Sequence, residues 1–189
     1  MPPTAKITRE MVIEAGLSIV RGEGQESLNV RRVAAELGCS TQPVMYHFKT
    51  MDELKAEIYD AADGFHTDYI VKDCEGAESP MLSIGLNYIR FAEKEKHLFK
   101  FLFQSDKFRN IGISELLEDD EMDFLVRPLA EQSGLAPEQA KKLFETLFAC
   151  VHGFASLLAN NSMEYNEARC ADLLISTYVS AVEYMKRGE

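Results

Sequence analysis

The chain has 189 residues, 46% of them hydrophobic, and carries a net charge of −11. That excludes a disordered polymer and suggests one or two globular domains with a sizeable core. The acid is uneven: residues 1–50 hold six Lys or Arg and five Asp or Glu, the remainder fourteen and twenty-six, so an acidic body is set against a weakly basic first quarter.

No apolar run approaches the ~18 residues of a membrane span, and the opening MPPTAKITRE lacks the apolar core of a signal peptide. Both point to a cytoplasmic protein without a membrane segment. The cysteines, Cys39, Cys74, Cys150 and Cys170, are scattered without paired spacing. They read as reduced thiols, and neither a metal nor another cofactor is expected. His66, His97 and His152 have no carboxylate or cysteine at ligand spacing. With no glycine-rich phosphate loop, nucleophile elbow or zinc-protease motif either, no enzyme is expected.

Residues 1–7 form a short arm that carries Lys6. Thr8 can cap a helix reaching about Arg21, whose Val12, Ala15, Ile19 and Val20 recur at helical spacing. Gly22 and Gly24 end it, and EGQES is a turn. The stretch from Leu28 to Leu54, LNVRRVAAELGCSTQPVMYHFKTMDEL, then packs two short helices around a glycine. Val30, Val33, Ala34 and Leu37 line one face of the first. Asn29 can cap that helix, and Gly38 suits its left-handed end. Ser40 caps the second helix, and Pro43 falls in its first turn, where no N–H bond is lost. Val44, Phe48 and Met45 turn toward the first helix, which leaves Thr41, Gln42, Pro43, Tyr46, His47 and Lys49 facing away. This is the layout of a helix-turn-helix, whose second helix enters the DNA major groove. A helical hairpin with a solvated polar face would carry the same spacing.

The chemistry of that face suits DNA. Gln42 offers a donor and an acceptor together, which matches adenine; Thr41 can bond a base edge or touch a thymine methyl. Pro43 offers apolar contact. Tyr46, His47 and Lys49, near the helix end, reach phosphates. Asn29, Arg31 and Arg32 at the start of the first helix complete the DNA-facing set, the arginines gripping the backbone. So weakly basic an end implies few phosphate contacts per head, and stable binding needs two heads.

Thr50 and Glu53 form a capping box for a long helix with Leu54, Ile58, Ala61, Ala62, Phe65 and Tyr69 on one stripe, the connector from head to body. A break at Gly76 to Pro80 precedes a helix that Pro80 starts, with Leu82, Gly85, Leu86 and Ile89 inward. LFKFLF could be a strand or a short helix, and its surroundings favour helix. RNIGI, from Arg109 to Ile113, reads as a loop, and SELLEDDEMDFL as an acidic, solvated helix. Gly134 and Pro137 frame a turn. From Pro137 to about Asn160 runs an apolar helix with Leu143, Phe144, Leu147, Phe148, Val151, Phe154, Ala155 and Leu158 on more than one stripe. It needs cover on two sides. A last helix runs from about Asn166 to Lys186. Two such helices suggest a homodimer through residues 137–160 and 166–186, a four-helix contact across a two-fold axis.

The stretch from Ile7 to about Ala61 resembles the DNA-binding region of the TetR/AcrR transcriptional regulators. The carrying residues are VRRVAAELGCSTQPVMYHF followed by Asp52, Glu53 and Leu54. VHGFASLL in the penultimate helix is also similar to a segment that recurs in one branch of the family. The expected fold is all-α with about nine helices. A three-helix helix-turn-helix DNA-binding domain occupies residues 1–50, and a helical ligand-binding and dimerisation domain residues 51–189. The family usually has a tyrosine at the position of Met45 and often a lysine at that of Met51, both on phosphate; Tyr46, His47 and Lys49 can substitute. The resemblance also implies an effector pocket in the body. Candidate liners are Phe65, Tyr69, Tyr88, Phe91, Phe99, Phe103, Phe124, Phe148, His152 and Tyr178, although aromatics at helical spacing more often pack as core. His152, beside Gly153, is the polar group to watch.

The expected function is a ligand-responsive transcriptional regulator, a repressor. It binds a near-palindromic double-stranded DNA operator as a homodimer and is released by a small, mostly apolar effector. The competing reading is a helical protein-interaction module or ligand carrier that has lost DNA binding, motivated by the acidic charge and the two missing phosphate contacts.

Overall fold

The computed structural model of the chain describes residues 7–73, 79–104, 123–160 and 163–187, without the side chains of Asp123 and Phe124. Cys74, the RNIGI segment and most of the acidic run therefore lie outside the described residues. Nine α-helices and no strand occur among the described residues, so the all-α expectation holds. They are α1 (Arg9–Glu23), α2 (Val30–Glu36), α3 (Thr41–His47), α4 (Met51–Val71), α5 (Pro80–Lys94), α6 (Lys96–Phe103), α7 (Asp123–Ser133), α8 (Pro137–Ala159) and α9 (Glu167–Arg187), with a short 3-10 turn at Gln25–Ser27. The chain divides into two compact units: Met1–Thr67 with Glu95–Ser105, and Asp68–Lys94 with Asp106–Glu189.

In the first unit α1 packs on α2, α3 and α6. Thr8 caps α1, its hydroxyl accepting from the Met11 N–H at 3.2 Å. The helix runs through Gly22 and ends at Gly24, whose φ of 87° no other residue adopts readily. Val12, Ile19, Val20, Val33, Val44, Phe48, Leu54 and Ile58 form the core. Gly16 lets α1 approach α4, since a Cβ there would collide with the buried Ile58 side chain. LFKFLF is helical, within α6, and buries Leu98, Phe99, Phe101 and Leu102. Ahead of α4, the Glu53 N–H donates to the Thr50 hydroxyl at 3.1 Å, and the Glu53 carboxylate accepts from the Lys49 N–H at 2.8 Å. The buried stripe of α4 in this unit is Leu54, Ile58, Tyr59, Ala62 and His66, whereas Ala61 and Phe65 are only half-buried. The buried stripe thus keeps Leu54, Ile58 and Ala62 of the expected one and is turned by roughly half a residue, toward Tyr59 and His66.

In the second unit α8 is central, packed on α5, α7 and α9. It buries Ala140, Leu143, Phe144, Val151, Ala155 and Leu158, with Leu125, Val126 and Leu129 of α7 against its first half. Gly134, at φ 68°, ends α7. Gly85 lets α5 approach α9: a Cβ there would lie 3.0 Å from Leu174. A polar clip joins three chain segments. Asn87, on α5, donates to the carbonyls of Ile70 at 3.1 Å and Lys72 at 2.9 Å. Arg90 donates to Asn87 Oδ1 at 2.9 Å and pairs with Glu167 at 2.6 Å.

Large apolar side chains remain uncovered on the last two helices: Leu157 is 47% exposed, Ile175 47%, Val179 46% and Tyr184 78%. By length and composition alone α8 could cross a membrane, with 33% of its most apolar window buried; Lys, Glu and Thr interrupt its first half, so no unbroken apolar run spans it. A bundle helix that buries one side and leaves another apolar reads the same way.

Candidate nucleic-acid interface

The presentation of α3 begins at the cap of α2. Asn29 Oδ1 accepts from the Arg32 N–H at 3.0 Å, and its Nδ2 donates to the Ser27 carbonyl at 3.1 Å. Its side chain is thus engaged in holding the start of α2. After α2, Gly38 has φ 63°. A Cβ there would meet nothing within 4 Å, so it is the left-handed backbone and not space that favours glycine. The Cys39 N–H returns to the Ala34 carbonyl at 2.9 Å and closes the turn. Ser40 occupies the N-cap position of α3 in extended conformation, without a side-chain capping bond.

Val44 and Phe48 anchor α3, at 0% and 2% exposure, and the Arg9 guanidinium lies 4.8 Å over the Phe48 ring. Thr41, Gln42, Tyr46 and Lys49 are exposed as expected, and Pro43 and His47 are half-buried. Met45 corrects the sequence reading: it is 42% exposed and stands on the outer face. Val44 and Phe48, one turn apart, already fill the strip facing inward, and Met45 is carried round by one residue. His47 Nε2 donates to the Ile7 carbonyl at 2.9 Å, tying the segment before α1 to the end of α3. Tyr46 stands edge-on to the His47 ring at 5.2 Å and is 80% exposed.

The two arginines of α2 differ. Arg31 is exposed. Arg32 is held by Glu23 at 2.6 Å and Glu36 at 2.8 Å. The hydrogen bonds to Glu23 and then Glu36 raise the Arg32 pKa, and the same bond holds the Glu23 carboxyl below its ordinary range. Spacing showed two adjacent cations and could not show that carboxylates occupy one of them.

The body aromatics fall into separate groups. Phe65, Phe99 and Phe103 belong to the first unit; Tyr69, Tyr88, Phe91, Phe148, His152 and Tyr178 belong to the second, and the Phe124 side chain lies outside the described residues. Phe91 and Phe99 are fully buried. In the second unit Phe144, Phe148 and His152 stack along α8 at 6.0 and 5.5 Å. Tyr88 meets Phe148 edge-on at 6.0 Å and places its hydroxyl 3.0 Å from His152 Nδ1. Burial lowers the His152 pKa, which keeps the ring neutral at pH 7 and Nδ1 able to accept from Tyr88. Tyr178 packs beside the α7–α8 core. Among the described residues no group of three His, Cys, Asp or Glu is arranged to hold a metal, and Cys39, Cys150 and Cys170 are free thiols.

A short helix presented beyond a glycine turn, followed by an all-helical body, defines the class of helix-turn-helix proteins with a helical regulatory domain. A family model described as "Tetracyclin repressor-like, C-terminal domain" matches residues 81–178, more than half of the chain. The chain belongs to the TetR family of regulators. No curated protein matches it.

Proposed function

We propose that this protein is a ligand-responsive transcriptional repressor, cytoplasmic and without enzymatic activity, that binds a near-palindromic operator as a homodimer. The observation that carries the reading is α3, anchored by Val44 and Phe48, with Thr41, Gln42 and Tyr46 exposed along its other side and Lys49 exposed just past its end. Residues 1–50 act as the DNA-binding head, residues 51–189 as the regulatory and dimerisation domain. The uncovered Leu157, Ile175, Val179 and Tyr184 support pairing of α8 and α9 with a second copy. The Tyr88–His152 pair among phenylalanines supports a small, mostly apolar effector with a polar group. The effector acts by favouring a state whose two heads are wrongly spaced for the operator.

Selection from random duplexes with purified protein tests the reading. Gln42→Ala should then lose ~1–3 kcal/mol at one base pair per half-site. A variant with undiminished discrimination at every position would remove Gln42 from base readout. A helical interaction module or ligand carrier is the second reading, favoured by the two carboxylates on Arg32. Enrichment of no duplex at all would support it.

A further inference from the structure

We propose that Met45 reads a thymine methyl in each half-site, a specificity contact that rests on the DNA-binding reading above. At about 100° per residue, Met45 falls between Thr41 and Gln42 around α3, one turn further along. Helical side chains lean back toward the N-terminus and cover the turn before their own. The thioether therefore lies over the level of Thr41 and Gln42, both exposed, and the first residues of a recognition helix are the ones that meet base edges.

Met45 is 42% exposed although its neighbour Val44 is fully buried. A thioether has no N–H or O–H to offer the phosphate that a tyrosine at this position would reach, and the apolar group the major groove offers beside Thr41 and Gln42 is the C5-methyl of thymine. The unbranched thioether can follow that methyl through several rotamers. The neighbours on the far side are less suited. Pro43 is half-buried and His47 is engaged with the Ile7 carbonyl. Thr41 carries a methyl on the same edge and is the control.

The operator is first selected with the full chain. Each thymine is then replaced by uracil, which removes only the methyl, in both half-sites at once. Binding is measured for the wild type, Met45→Ala, Met45→Gln and Thr41→Ser. At one thymine position uracil should weaken wild-type binding about fourfold per half-site, about 15-fold for the pair. The same replacement should cost less than about twofold in both Met45 variants, and its full penalty should persist in Thr41→Ser. Tolerance of uracil at every position, an unchanged penalty in the Met45 variants, or its loss in Thr41→Ser would each overturn the assignment. Selection of no duplex would overturn the DNA-binding reading and the Met45 contact with it; a selected operator without this coupling would overturn the Met45 contact alone.

Discussion

The two units differ in what they leave uncovered. In the first, the described large aliphatic side chains are buried or half-buried, and the exposed large apolar residues among those described are Met45 and Tyr46, side by side on α3. In the second, Leu157, Ile175, Val179 and Tyr184 are spread over α8 and α9. Among its described residues the first unit shows one small exposed apolar patch. The second has a core around α8 and, among the described residues, a further apolar side on α8 and α9 that stays exposed. Scattered exposed apolar residues are ordinary, whereas several on two adjacent helices mark a contact surface.

The sharpest way to break that contrast is to charge the open side of the second unit. Ile175→Glu with Val179→Glu would put four carboxylates into the proposed two-fold contact, costing association more than about 4 kcal/mol. Sedimentation should show a monomer with unchanged helical circular dichroism. If it remains a dimer, pairing lies elsewhere.

Next in size is the closed core of the first unit. Phe48→Ala removes the buried end of α3 and should cost about 3–5 kcal/mol, read by denaturant melting. A loss below about 1 kcal/mol would show that Val44 alone holds the helix.

His66 gives the first unit a pH dependence. Loss of hydration holds its pKa down to about 4, from 6.5. The unfolded chain therefore binds the proton first. Stability is complete above about pH 6.5 and falls, by on the order of 3 kcal/mol, as the pH drops to about 4. His66→Leu should flatten that window, and an unchanged pH profile would assign the loss to the carboxylates.

The smallest effect separates the two arginines of α2. Arg31→Ala should lower the salt slope of DNA binding by about one, and Arg32→Ala should leave it in place. Equal slopes for the two variants would mean that Glu23 and Glu36 give Arg32 up when DNA arrives.

Helical spacing revealed most of the architecture because caps and glycines punctuate it. Thr8, Asn29, Pro80 and Pro137 each stand where a helix starts, and Gly24, Gly38 and Gly134 where the chain turns left-handed. The failures have a common cause. Along α4 the sequence offers ring-bearing or apolar residues at successive positions, Ile58 with Tyr59 and Phe65 beside His66, so periodicity could not choose between overlapping stripes. Met45 was misread for the same reason, because a hydrophobic residue next to Val44 looks like core until the filled strip is known. Partners were least legible. Nothing in the spacing joins His47 to Ile7, Arg32 to Glu23, or Tyr88 to His152, since these meetings depend on how loops and helices fold back.

The clip at Asn87 has a mechanical consequence. Its amide grips two carbonyls at the close of α4, and its oxygen holds the arginine that grips Glu167 in the opening turn of α9. Fraying at either place strips a charged or buried group of its match at the other. Backbone amides in the last turn of α4 and the first turn of α9 should therefore exchange with solvent at a common rate.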